Sequence, residues 1–387
     1  MNRYTYVWNP KRTLADYFDT VIKYPDDTHI YNCGPEWFFG RINHNNDVKW
    51  MNDPEFAVTL KNITEFIEHR PDVKSRMIFL TGEHSSTRYL LKHQPLFNLF
   101  GQTIRVWDYF WWHCLRDFQT NSDRMGYGYD QPPHKLFICL QHRPHPHKVS
   151  VAEALCDTGL VDSGTCTWCG TPQSQHQFHR DYHGLPVYQK LCENSHLFKN
   201  SECDTENFPD WHGKNLTAPV MDYQEFLFDV VSESSVATTY FSEKTFKPIF
   251  FGKPFVILGS TNQNSILKSL GYETFPEYFD FTQSICSTID DMRYNPDLTQ
   301  HYKKILKPLT DLSEADISYV YDQTRPKVKH NHSVMVRQFF DHDLPDIMLD
   351  PKLNDMSTYK INVNPLTISQ TQSWFKNHDY FSQFVPQ

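Results

Sequence analysis

The stretch "YFSEKTFKPIFFGKPFVILG" (240–259) sets a carboxylate and an ammonium side by side, Glu243 and Lys244, at the head of a helical pattern. Ser242 is a residue type that caps a helix starting at Glu243, and Phe246, Ile249 and Phe250 recur at helical spacing. A helix start carries unpaired N–H groups and partial positive charge, so it attracts phosphate. A lysine in that first turn opposes the helix dipole, and an anionic ligand would offset the misfit. Glu243 can accept from two vicinal hydroxyls, as a ribose presents them. The same residues would also suit a solvated first turn.

Two further clusters carry usable groups. "QHRPHPHK" (141–148) follows the buried-looking strand "KLFICL" (135–140) and precedes a helix, which puts Arg143, Lys148 and several histidines at the carboxyl edge of a sheet. Charge-assisted contacts of such side chains to a diphosphate are worth about 1.5–3 kcal/mol each. "FLTGEHSST" places Glu83 and His84 just after another strand. A carboxylate there could take a proton from an acceptor hydroxyl as general base. A turn carboxylate capping the next helix is the plainer account of Glu83.

"ESSVATTYFSEKTF" resembles the donor-site motif of fucosyltransferase-like enzymes, which runs Phe-Glu-Asn-Ser, a gap, then Tyr, an aliphatic residue and Thr-Glu-Lys. Glu233, Ser235, Tyr240, Glu243 and Lys244 match in type, Ser242 stands for Thr, and Ser234 replaces the Asn. "FLTGEH" resembles a Thr-Gly-Glu-Asn stretch of bacterial members, with His84 in place of Asn. Arg143 falls where the family keeps a phosphate-binding arginine. The resemblance comes in islands between about 80 and 260. It implies a GT-B fold, two Rossmann-like domains facing each other across a cleft, and an inverting transfer from a nucleotide-diphosphate sugar, GDP- or UDP-linked, with no metal required for catalysis. It implies that Glu83 is the base and that Arg143, Glu233, Ser235, Tyr240, Glu243 and Lys244 serve the donor, and Lys148 joins them as a donor-binding candidate from its place in the 141–148 loop. The aromatic approach "RVWDYFWW", with Asp108 and Trp111, joins His84 as the acceptor-side candidates, although a core strand explains those rings equally.

These groups need elements to hold them. "THIYNC" (28–33), "SRMIFLTGE" (75–83) and "QTIRVWDYFWW" (102–112) read as strands, and "PEFAVTLKNITEFIEH" (54–69) as a helix with Phe56, Leu60, Ile63 and Phe66 near one face. "KLFICL", a helix over 149–161 ending near Gly159, "QEFLFDVVSES", the Glu-Lys helix, "KPFVILG" and a helix over 263–270 repeat the rhythm. Strand-helix-strand spacing predicts α/β domains with parallel sheets. A chain of 387 residues exceeds one ordinary core. We expect an acceptor-side domain over 1–125 and a nucleotide-sugar domain over 126–345 entered through the Gly- and Pro-rich "DRMGYGYDQPPH". An irregular Cys/His-rich insertion over about 163–222 interrupts the second domain. The tail over 346–387 is expected to pack back on the first domain.

Net charge of −9 argues against a general nucleic-acid coat. No apolar run reaches the roughly 18–20 residues of a membrane span, and the first residues lack an apolar signal core. Nine scattered cysteines read as reduced thiols. A cytoplasmic protein is expected, in the host cytoplasm if it is viral. Cys166 and Cys169 form a Cys-x2-Cys, and His179 and His183 could complete a structural zinc site in the insertion. "DHD" (341–343) and Asp290-Asp291 read as surface acids. No Walker A, Gly-x-Gly-x-x-Gly or Gly-x-Ser-x-Gly is present. The favoured acceptor is a glycan. The alternatives are a viral enzyme glycosylating hydroxymethylated pyrimidines in DNA, with "TRPKVKHNH" (324–332) toward the duplex, and a non-catalytic sugar-binding module.

Overall fold

Apolar runs bounded by helical patterns become strands that run parallel within each sheet. The structure, a computed structural model, describes residues 4–8, 14–32, 54–81, 104–106, 132–141, 145–168, 186–200, 224–233, 236, 241–260, 263–280, 294–341 and 368–386. Strands β1 (Tyr4–Trp8), β2 (Thr28–Asn32), β3 (Met77–Thr81) and β4 (Ile104–Val106) form one sheet in that order, every pair parallel. Helix α1 (Leu14–Lys23) joins β1 to β2, and α2 (Pro54–His69) with the short α3 (Pro71–Lys74) precedes β3. Tyr17, Phe18 and Val21 of α1 are buried, as are Ile63 and Ile67 of α2. Phe66, expected on that apolar face, is only half-buried, because the helix turns Ile67 inward instead. These residues belong to a unit of Met1–Phe110 with Thr238–Ser242, and Trp111–Ala237 with Glu243–Gln387 forms a second unit.

The second unit is built on β5 (Lys135–Cys139), β6 (Gly164–Trp168), β7 (Lys199–Asn200), β8 (Phe226–Ser232) and β9 (Phe255–Leu258). Their order is β7-β6-β5-β8-β9, again all parallel. The chain leaves β5 through α4 (Pro146–Asp157) to β6 and through α5 (Pro186–Glu193) to β7. It then returns to the other side of β5 as β8, and α6 (Glu243–Phe250) leads to β9. All seven residues of β8 and all four of β9 are buried. That explains the unbroken apolar sequence of β9 and the apolar residues around Asp229 in β8, since parallel strands covered on both faces have no solvent side. Each large apolar side chain sealed in this way contributes about 1.5–3 kcal/mol.

The region expected to be an irregular insertion starts as sheet. Residues 164–168 are β6, paired in register with β5, and α5 and β7 continue the unit. Its Thr-rich sequence hid the strand. Gly164 is required there, because a Cβ would lie 2.5 Å from the Phe137 ring and from its carbonyl oxygen. Helix α4 ends as the sequence predicts. Gly159 adopts φ 73 just past Thr158, and its N–H donates to the Cys156 carbonyl at 3.1 Å.

Helix α7 (Gln263–Ser269) follows β9. Then α8 (Pro296–Leu306) packs on α4, and Tyr294 and Thr299 both donate to the Glu153 carboxylate, at 2.5 and 2.8 Å. The stretch "TRPKVKHNH" is helical, with Lys329 and His330 exposed. It lies inside α9 (Ile317–Phe340), where Thr324, Val328, Asn331 and His332 are buried. Lys327 donates to Glu277 at 2.7 Å and His330 bonds the Gly271 carbonyl at 2.9 Å. The tail helix α10 (Ile368–Asn377), expected to return to the first domain, lies within the second unit against α9. Phe375 and Phe381 anchor it by full burial. No helix among the described residues is long and apolar enough to cross a membrane.

His332 joins three of these elements. Its Nδ1 lies 3.1 Å from the Tyr380 hydroxyl, the Phe381 ring stands edge-on at 5.3 Å, and its ring hydrogen-bonds the backbone at Ile249 and Phe250 of α6. Burial pushes its pKa down to about 4 from 6.5. Between those values the unfolded chain binds a proton that the folded chain refuses. This contribution is fully present above pH 6.5 and is lost as pH falls toward 4, on the order of 3 kcal/mol in all. Urea unfolding at pH 7 and pH 5 should therefore show a lower midpoint at pH 5, and His332→Phe should flatten that part of the pH dependence.

Candidate functional site

Parallel pairing of β5 with β8, through Phe137 with Phe228 and Ile138 with Asp229, brings their carboxyl ends together. Counted along the second sheet, this is where strand order reverses. Connections leave in opposite directions there and open a crevice beyond the strand ends. Helix α4 starts there after β5, with His145 at the cap in extended backbone and Pro146 at the first helical position. Proline suits that position because its missing N–H had no helical partner. Helix α6 starts there after β8, and Phe246, Ile249 and Phe250 bury its inner face as the spacing predicts. Two helix starts thus face one crevice, each favouring an anion by about 0.3–1 kcal/mol.

Glu233, the residue after β8, links the surrounding elements. Its N–H donates to the Leu258 carbonyl at 3.1 Å, its carbonyl bonds His147 Nε2 at 2.7 Å, and its Oε1 accepts from Thr245 Oγ1 at 2.7 Å. The His145 ring stacks on His147 with centroids 5.7 Å apart. Space is tight around Glu233. A Cβ on Gly259 would lie 2.9 Å from the Glu233 Cβ and 1.8 Å from Gln263 Oε1. Beside β5, the Gln141 N–H donates to Thr167 Oγ1 at 2.8 Å, and that hydroxyl donates to the Gln141 carbonyl at 2.9 Å.

Three residues expected at the donor are brought to this edge. Lys244 is half-buried in the first turn of α6. Lys148 sits in the first turn of α4 and is 3% exposed, and Glu233 is fully buried with its Oε1 accepting from Thr245. The backbone of Glu243 opens α6, and its side chain lies outside the described residues. Arg143, Ser235, Tyr240, Glu83, His84, Asp108 and Trp111 also lie outside them. His147 is one of the several histidines of the 141–148 cluster, whereas Thr245 had no motif role to single it out. Its signal is position alone, in the first turn of a helix at a strand end.

Cys166 belongs to β6, in register with Cys139 of β5, and the Gln141 amide lies 3.5 and 3.9 Å from the two sulfurs. Burial pushes the Cys166 thiol well above its ordinary pKa, with Cys139 adding to the effect. Cys166 is 1% exposed and sits in the core of the sheet beside Cys139. Among the described residues no group of three or more His, Cys, Asp and Glu is placed to hold a metal, and Cys169, His179 and His183 lie outside them. A groove of about 350 Å³ lined by Thr158, Gln300, Lys303, Lys304, Lys307 and Thr310 opens at the far end of α4, away from the crevice. Lys253 is buried with its pKa pushed down to about 7, but it donates to the Gln224 and Phe226 carbonyls at the opposite edge of the sheet.

No protein-family model matches the chain, and neither does any curated protein or solved structure. The core assignment of Cys166 has a direct check. Iodoacetamide at pH 8 followed by peptide mass spectrometry should leave Cys139 and Cys166 unlabelled in the native protein and label both in guanidinium chloride.

Proposed function

We propose that the chain is an inverting glycosyltransferase of GT-B type, moving a sugar from a nucleotide diphosphate to an acceptor hydroxyl, with a glycan as the favoured acceptor. The observation that carries this reading is the meeting of the first turns of α4 and α6 at the β5–β8 reversal, with the Lys244 ammonium in one of them. A leaving diphosphate gains charge as the bond to the anomeric carbon breaks. Peptide dipoles and a fixed ammonium stabilise that charge without reorganising. Arg143 adds to them in this reading, Glu243 holds the ribose, and Tyr240 borders the phosphates or the sugar. Glu83, two residues beyond the end of β3, accepts the proton of the acceptor hydroxyl as its oxygen attacks the anomeric carbon in line with the departing diphosphate.

DNA carrying hydroxymethylated pyrimidines is the alternative acceptor. A thermal-shift series with GDP-, UDP- and other nucleotide sugars tests the binding step, since a ligand held only by the folded chain raises the melting temperature. The matching donor should raise it, and Lys244→Ala should remove most of that rise and cut transfer by about 100-fold or more. Glu83→Gln should keep the shift and lose transfer. A panel with no shift at all would sink the reading, and a shift with no turnover on any hydroxylated acceptor would select a binding module.

A further inference from the structure

We infer that Glu233 is a positioning residue that sets the gap between the first turns of α4 and α6, and so the fit of a diphosphate between them. This rests on the donor-site reading above. Glu233 is fully buried, yet each of its polar groups reaches a different element: its N–H the end of β9, its carbonyl His147 on α4, and its carboxylate Thr245 on α6. His147, Glu233 and Thr245 thus form a tether in series from one helix start to the other. Gly259 lets the end of β9 pass close to Glu233, because a methyl group there would press on the Glu233 Cβ at 2.9 Å.

A buried polar atom lies beside this tether. Ser232 Oγ, at the end of β8 and next to Glu233, has no hydrogen-bond partner in a side chain 1% exposed. Folded proteins rarely leave such an atom unmet, and a bound polar ligand or its water satisfies it.

A serial tether has a signature that ordinary packing lacks. Cutting either link releases the gap, and cutting both adds little, whereas independent local losses add. Inorganic pyrophosphate, titrated calorimetrically into the full chain, is the probe. His147→Phe and Thr245→Val should each weaken its binding about tenfold. The double variant should stay within about twofold of the weaker single, and Thr245→Ser should restore the affinity. Glu233→Gln keeps an oxygen that can accept from Thr245 and should bind pyrophosphate at least as well as wild type. Should Thr245→Val not fold, His147→Phe and Glu233→Gln still decide. Wild-type binding with both single variants unaffected, losses that multiply in the double variant, or a Glu233→Gln loss equal to that of Thr245→Val would each overturn the tether. Absence of pyrophosphate binding by the wild type would overturn the donor-site reading along with it.

Discussion

Parallel pairing delivers the carboxyl ends of all strands in a sheet to one edge. In the second sheet that rule, combined with the return of the chain to the far side of β5, decides where two helices begin. Neither helix start was free to lie elsewhere, because each connection leaves its strand at that edge and must climb back over the sheet. The positive ends of α4 and α6 therefore converge as a by-product of topology. What side chains add is spacing and sign. Glu233 joins the two first turns, and Lys244 adds a full charge to partial ones.

Much of this frame was legible before any coordinates. β5 and β9 are apolar without alternation, which is what burial on both faces demands, and the Glu-Lys helix starts at Glu243 as Ser242 suggests. The failures have physical causes. β6 escaped notice because Thr165 and Thr167 read as loop residues, although Thr167 is buried and its hydroxyl is satisfied by the backbone of Gln141. α9 escaped because Pro326 and the surrounding basic residues mimic an exposed segment. Its buried stripe of Thr324, Val328, Asn331 and Met335 keeps helical spacing, but two of those four are polar and carry no hydrophobic signal. Glu233 stands in the motif, but only the fold shows that its Oε1 accepts from Thr245 on α6.

Polar groups in the interior follow one pattern. His29 bonds the Tyr24 carbonyl, Lys253 bonds two carbonyls before β8, and His332 bonds the backbone at the end of α6. Each stands at a junction between elements, where main-chain groups lack a regular partner. Burial lowers the pKa of all three, so each favours its neutral form relative to solution. Perturbed titration here marks joints of the scaffold. The Lys253 edge is the reverse of the one where the helices converge, which separates it from the chemistry despite the size of its shift.

The β5–β8 pairing also bears on how the molecule comes to exist. Lys135 and Glu225, which meet at 2.5 Å beside that pairing, are 90 residues apart in sequence. Closing so long a stretch costs entropy before any contact repays it, and such non-local pairings slow folding. The neighbouring pair, β8 with β9, spans far less chain and can assemble early. The crevice is thus bordered on one side by a hairbreadth of local structure and on the other by the joint that has to wait for distant partners. A chain stalled before that joint closes would hold most of its secondary structure while exposing the bare flank of β8, a sticky surface that a chaperone or an aggregate would find first.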